Sequence, residues 1–217
     1  MVQKIRVSLW DIFSFFLTGF LGATLVAILF VIYGPTTPKE LLDSLSALPA
    51  AITIVAAPLA LTLLGMIIEP FANYFDRYVL KVVFEWMPKP KDKHLEEEQL
   101  LAEEIRSRYL GSLSGKISDP YGICKEYVET KQLSTTFMVF LSRYGFYRNC
   151  AFLTVASGFS VLVLDQSWLV GGGSLVACLA AAVVFKRRAE DFYSYMAPAV
   201  YRAFLIDKLQ WVSRDGA

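Results

Sequence analysis

"SRYGFYRNCAFLTVASGF", residues 142–159, decides how this chain is read. Two arginines, Arg143 and Arg148, stand among aromatics, and an apolar run follows without a break. A soluble core rarely holds arginine at the mouth of such a run, because burying an unpaired charge is costly. At the inner face of a bilayer the same pattern is ordinary. Basic residues flanking a span stay cytoplasmic, and rings such as Tyr144 and Tyr147 sit at the head-group level. The stretch therefore predicts a membrane span entered from the cytoplasm.

Working outward, uncharged runs cover Ile12 to Gly34 (23 residues), Ser44 to Ile68 (25), Asn149 to Leu164 (16) and Gln166 to Phe185 (20). A spanning helix needs about 17–25 mainly apolar residues. Three runs meet that length, and Tyr144 to Tyr147 extend the other at the interface. The chain is 55% hydrophobic with mean hydropathy +0.46, above the roughly 45–50% apolar content of soluble domains. The first run exceeds the roughly 7–15 residues of a signal-peptide core, so it is expected to remain as a span.

Of 21 Lys and Arg residues, only Lys39 falls in a segment expected outside. Lys4 and Arg6 precede the first run; the others lie in 70–148 or 186–217. Positive residues near span ends stay inside, which predicts four passes with both termini cytoplasmic. The expected fold is all-α: a polytopic membrane protein with four transmembrane helices and a small helical cytoplasmic part. Residues 1–69 form a first transmembrane pair and 70–141 a cytoplasmic helical insert. Residues 142–185 form a second hairpin and 186–217 a cytoplasmic amphipathic tail.

Local signals fill in this frame. "TPKELLDSL" predicts a short external helix with Thr37 as N-cap and Pro38 at its first position. Pro58, inside the second run, predicts a kink. Phe71, Tyr74, Phe75, Tyr78, Val79, Val82, Val83 and Trp86 keep an i, i+3, i+4 rhythm. This amphipathic segment either lies along the inner leaflet or packs on the rest of the cytoplasmic part. "PKPKDK" breaks the chain, and "HLEEEQLLAEEIRSRYLG" predicts a helix ending near Gly111. Pro198 predicts a kink or break in the tail. Gly19, Ala23 and Ala27 are four apart, a small-residue stripe that lets helices approach closely and is expected to pack a homo-oligomer.

The chemistry is sparse. His94 is the single histidine and lies in a charged run. No HExxH, CxxC, Walker loop or strand-borne GxGxxG occurs. Cys124, Cys150 and Cys178 have no metal spacing and are expected as free thiols. No catalysis, cofactor, metal or direct nucleic-acid binding is expected. The spans carry no ionisable residue at their centres; Glu69, at a span end, is the candidate charge for the inner mouth of an oligomeric pore. Arg143 and Arg148 stand roughly 140° apart around a helix and with Tyr144 and Tyr147 form a collar. Lys186, Arg187 and Arg188 form its counterpart where the fourth span leaves. "LDQSW" joins these two spans tightly, so the basic groups should meet at one level. Anionic lipid head groups, a partner's acidic surface or a carboxylate must then intervene. Glu190 and Asp191 are the nearest carboxylates in the chain.

The layout of two spans, a charged helical insert, "SRYGFYRN", a tight hairpin and "KRRAEDFYSY" resembles small four-pass bacterial inner-membrane proteins that accompany cytoplasmic effectors. The membrane subunit of Kiwa-type antiphage defence systems is among them. The resemblance implies a non-enzymatic membrane scaffold or sensor in the bacterial inner membrane. Such a protein would assemble as a homo-oligomer, touch anionic lipids and bind a cytoplasmic protein partner. A pore-forming effector is the alternative.

Overall fold

A computed structural model describes residues 9–34, 37–47, 49–50, 52–80, 94–111, 117 and 119–214. Every regular element among them is helical. Helix α1 is Leu9–Tyr33, α2 is Pro38–Ser46 and α3 is Ala57–Phe75. Helix α4 is Leu95–Tyr109, α5 is Tyr121–Lys131 and α6 is Thr135–Leu164. Helix α7 is Trp168–Ser194 and α8 is Met196–Arg214. Four helical stretches are long and apolar enough to cross a membrane: Ile12–Tyr33, Thr53–Leu80, Thr135–Leu164 and Trp168–Leu209. Their outward faces carry exposed apolar side chains such as Phe20, Ile67 and Leu169, the pattern of a helix whose solvent is hydrocarbon.

The chain divides into two compact units, residues 1–88 with 142–189, and residues 89–141 with 190–217. The later divisions fall inside α6 and α7.

In the first unit α1 packs along α3. A methyl built on Gly19 would land on the carbonyl of Leu61, and one on Gly65 would land on the carbonyl of Phe15. The two backbones touch, which only glycine permits. One turn further along α1, a methyl on Gly22 would meet Ile68 Cδ1 at 2.9 Å and Leu153 Cδ2 at 3.7 Å, so α1, α3 and α6 converge there. Leu80, Ala151 and Ala182 form a buried cluster with Phe75, Val155 and Phe185 packed on it.

Two prolines fall inside the second apolar stretch, Thr53–Leu80. Pro58 lies in the first turn of α3, after a π-helical turn over Ile52–Ala56. Because the helical stretch already runs from Thr53, Pro58 is missing one donor within it, next to the π turn. Pro70, expected at a span boundary, is instead inside α3, which continues into a second π turn, Asp76–Leu80. The aromatic segment after Glu69 is thus an extension of the span. Phe71, Tyr74 and Tyr78 are exposed, and Ala72 and Leu80 face inward. Val82, Val83, Trp86 and the "PKPKDK" break lie outside the described residues, as do Lys4, Arg6 and residues 112–116.

Thr37 and Glu40 cap α2 reciprocally. The Thr37 amide donates to Glu40 Oε2 at 2.9 Å, and the Glu40 amide donates to Thr37 Oγ1 at 3.3 Å. At the tight hairpin, the Ser167 amide donates to Asp165 Oδ1 at 2.7 Å. Tyr33 donates its hydroxyl to Asp165 Oδ2 at 3.0 Å, tying the end of α1 to that turn.

The second unit packs α4 and α5 against α8. Its core includes Ile105, Cys124, Val128, Phe137, Val200, Tyr201 and Phe204. Aromatic edges lock it: Tyr109 and Tyr127 meet Phe204 with ring centroids 5.6 and 5.2 Å away. The tail breaks at Tyr195, between α7 and α8, and Pro198 sits in the first turn of α8.

Candidate functional site

The basic collar divides by helical phase. Arg148 turns inward and is only 7% exposed. Its Nη2 donates to Glu69 Oε1 at 3.1 Å, and its guanidinium lies 5.4 Å from the Tyr144 ring centroid. Lys186 likewise turns inward, with Nζ 2.6 Å from Asp76 Oδ1, close enough to pair but not aligned as a hydrogen bond. Arg143, Arg187 and Arg188 face outward and are exposed. Tyr147 is half-buried, its ring 6.3 Å from that of Phe185.

Carboxylates therefore do enter the collar: Glu69 pairs with Arg148 and Asp76 with Lys186. Both come from the stretch that continues α3, and sequence separation hides such pairings. Glu69, expected as a pore-mouth charge, pairs with Arg148. Gly19 of the expected oligomer stripe is buried against α3 of its own chain, while Ala23 and Ala27 are half-buried.

Above the Arg148 pair lies a polar seam. Ser14 Oγ donates to the Ser142 carbonyl at 3.2 Å, and Asn149 Nδ2 donates to Thr18 Oγ1 at 3.4 Å. Asn149 lies within an apolar run, and its sequence context gives no sign of this contact.

In the second unit, insert and tail are joined by charge. Tyr127 donates to Asp207 Oδ2 at 2.6 Å, and Lys131 Nζ donates to the same oxygen at 3.3 Å. The bond to Tyr127, with Asp207 behind it, holds the Lys131 ammonium above its usual range. Tyr201 donates to Asp119 Oδ1 at 3.0 Å. Arg202 pairs with Glu97, and that hydrogen bond holds the Glu97 carboxyl below the usual carboxylate range. A shallow groove of about 320 Å³ runs beside α8, with Leu133, Ala199, Ala203 and Ile206 as its apolar lining and Arg202 and Asp207 on its rim.

Burial pushes the Cys124 thiol up to about 11, with the Asp119 charge adding to it. At pH 8 its thiolate is scarce, so alkylation should run roughly a hundredfold slower than for a free cysteine. Iodoacetamide labelling followed by peptide mass spectrometry measures this; fast labelling would mean that the second unit opens. Among the described residues no cluster of three His, Cys, Asp or Glu side chains is placed to hold a metal ion. No family model, curated protein or solved structure matches the chain.

Proposed function

We propose that the chain is a non-enzymatic scaffold or sensor of the bacterial inner membrane, with both termini cytoplasmic. It self-associates there and recruits or regulates a cytoplasmic protein. The resemblance in layout makes antiphage defence its setting. The observation that carries this reading is the second unit. A 217-residue chain with four apolar helices also invests in a separate helical unit built from both insert and tail. That unit has its own aromatic core, cross-linking ion pairs and an open groove. Such a unit exceeds what anchoring needs and suits a partner of moderate affinity. The exposed Arg143, Arg187 and Arg188 suit anionic head groups.

The test keeps the chain in its membrane. Val200, fully buried in the second unit, is changed to Asp. The variant is expected to insert as the wild type does but to lose co-purification with its soluble partner, and both proteins should be silent in planar bilayers. Unitary conductance altered by Glu69→Gln would overturn the reading in favour of a pore.

A further inference from the structure

Along α3 and the π turn that follows it, one outward stripe changes chemistry in a single direction. Leu63, Ile67, Phe71, Tyr74 and Tyr78 recur at three- and four-residue steps, so they share a face. All are exposed, between 52% and 66%. Aliphatic side chains come first, then a phenyl ring, then two phenols, with Arg77 beside them and also exposed. The Tyr74 and Tyr78 ring centroids lie 4.6 Å apart. The opposite face is filled: Ala72 and Leu80 are buried, and Asp76 pairs inward with Lys186. The residues three and four before Arg77, its neighbours on the helix surface, are Tyr74 and Asn73, neither of them a carboxylate.

Length gives this stripe its surroundings. The helical stretch Thr53–Leu80 has 28 residues, which at the α-helical rise is about 42 Å. Hydrocarbon takes up about 30 Å of that, leaving about eight residues for head groups. The N-terminal end of the stretch exposes Ile54 and Val55, so the excess falls at the other end, from Phe71 onward. We propose that Tyr74, Arg77 and Tyr78 form a binding site for an anionic phospholipid. Its phosphate is held by the Arg77 guanidinium and the phenol hydroxyls, and its acyl chains lie along Leu63, Ile67 and Phe71. Tyrosine suits this depth because its ring is apolar and its hydroxyl reaches the polar layer, and guanidinium matches phosphate in shape and charge. A zwitterionic lipid brings its own ammonium toward the arginine, whereas an anionic lipid does not. The site lies on a different helix from Arg143, Arg187 and Arg188. It requires that this end of the stretch reach head groups; the topology proposed above makes that leaflet the inner one.

Site-specific photo-cross-linking tests the site, with benzoylphenylalanine in place of Phe71 in the full chain. The protein is reconstituted in vesicles of phosphatidylcholine and phosphatidylglycerol in a four-to-one ratio, and mass spectrometry counts the lipid adducts. Phosphatidylglycerol is expected to exceed its share of the vesicle roughly fivefold at Phe71, the effect of one basic residue near a charged surface. The same probe at Ile54, at the other end of the stretch, should return the vesicle ratio. Arg77→Gln should bring Phe71 to the vesicle ratio, and Arg77→Lys, which keeps the charge, should retain most of the enrichment. Both leaflets have one composition, so a chain inserted the other way round gives the same readout and does not imitate failure of the site. Adducts in the vesicle ratio at Phe71 of the otherwise wild-type chain overturn the proposal. Adducts to protein instead of lipid overturn it as well, by showing that this chain or a second copy covers the face. Enrichment that survives Arg77→Gln overturns the assignment to Arg77.

Discussion

Gly65→Leu is expected to separate α1 from α3 and to cost the first unit at least about 3 kcal/mol, the upper range of overpacking penalties. Most overpacked cores yield by shifting side chains. Here the obstacle is the Phe15 backbone itself, so relief requires moving a whole helix. Gly19→Leu meets the Leu61 carbonyl from the other side and should behave alike. The two changes act on one crossing, so their costs should not add. Gly173→Leu is the control. It lies on α7 where an added methyl touches nothing, and it should stay within about 0.5 kcal/mol of wild type. Thermal unfolding in detergent, followed by circular dichroism, gives the order. Gly65→Leu melting with Gly173→Leu would mean that α1 and α3 do not rely on this contact.

That crossing marks where the sequence stopped being legible. Charge-free runs fixed the four apolar helices because crossing hydrocarbon is a requirement on each segment alone. The Thr37 N-cap and the helix ending near Gly111 were readable for the same reason, since each is local chemistry. Gly19 was visible as part of a spaced stripe, but Gly65 had no such companion. Spacing cannot say whether a stripe meets another copy or another helix of its own chain. Pro70 misled in the opposite direction. It marks a boundary in most soluble helices, yet a span tolerates it where neighbouring groups satisfy the freed carbonyl. Moving the span end beyond Pro70 changes what Glu69 and Asp76 are: partners for Arg148 and Lys186 rather than charges at a loop. Asn149 was hidden by its position within an apolar run, where its value depends wholly on Thr18 lying 131 residues away.

The Glu69–Arg148 pair should respond asymmetrically to loss of either partner. The Arg148 side chain is 9% exposed and that of Glu69 is 36% exposed. Glu69→Leu leaves a buried guanidinium without its counter-charge, which costs about 3–5 kcal/mol. Arg148→Met leaves a carboxylate that can still turn toward solvated head groups, so about 1–2 kcal/mol is expected, nearer the range of partly exposed pairs. Replacing both should recover most of the larger loss, because a buried ion pair is often matched by apolar side chains of similar volume. The double-mutant cycle reads the pair directly, with unfolding measured in one detergent and at one pH. Equal single-mutant losses would mean that Glu69 is as enclosed as Arg148, and strictly additive losses would mean that the two do not interact. Additivity would also remove the reason for treating Glu69 as a structural partner of Arg148.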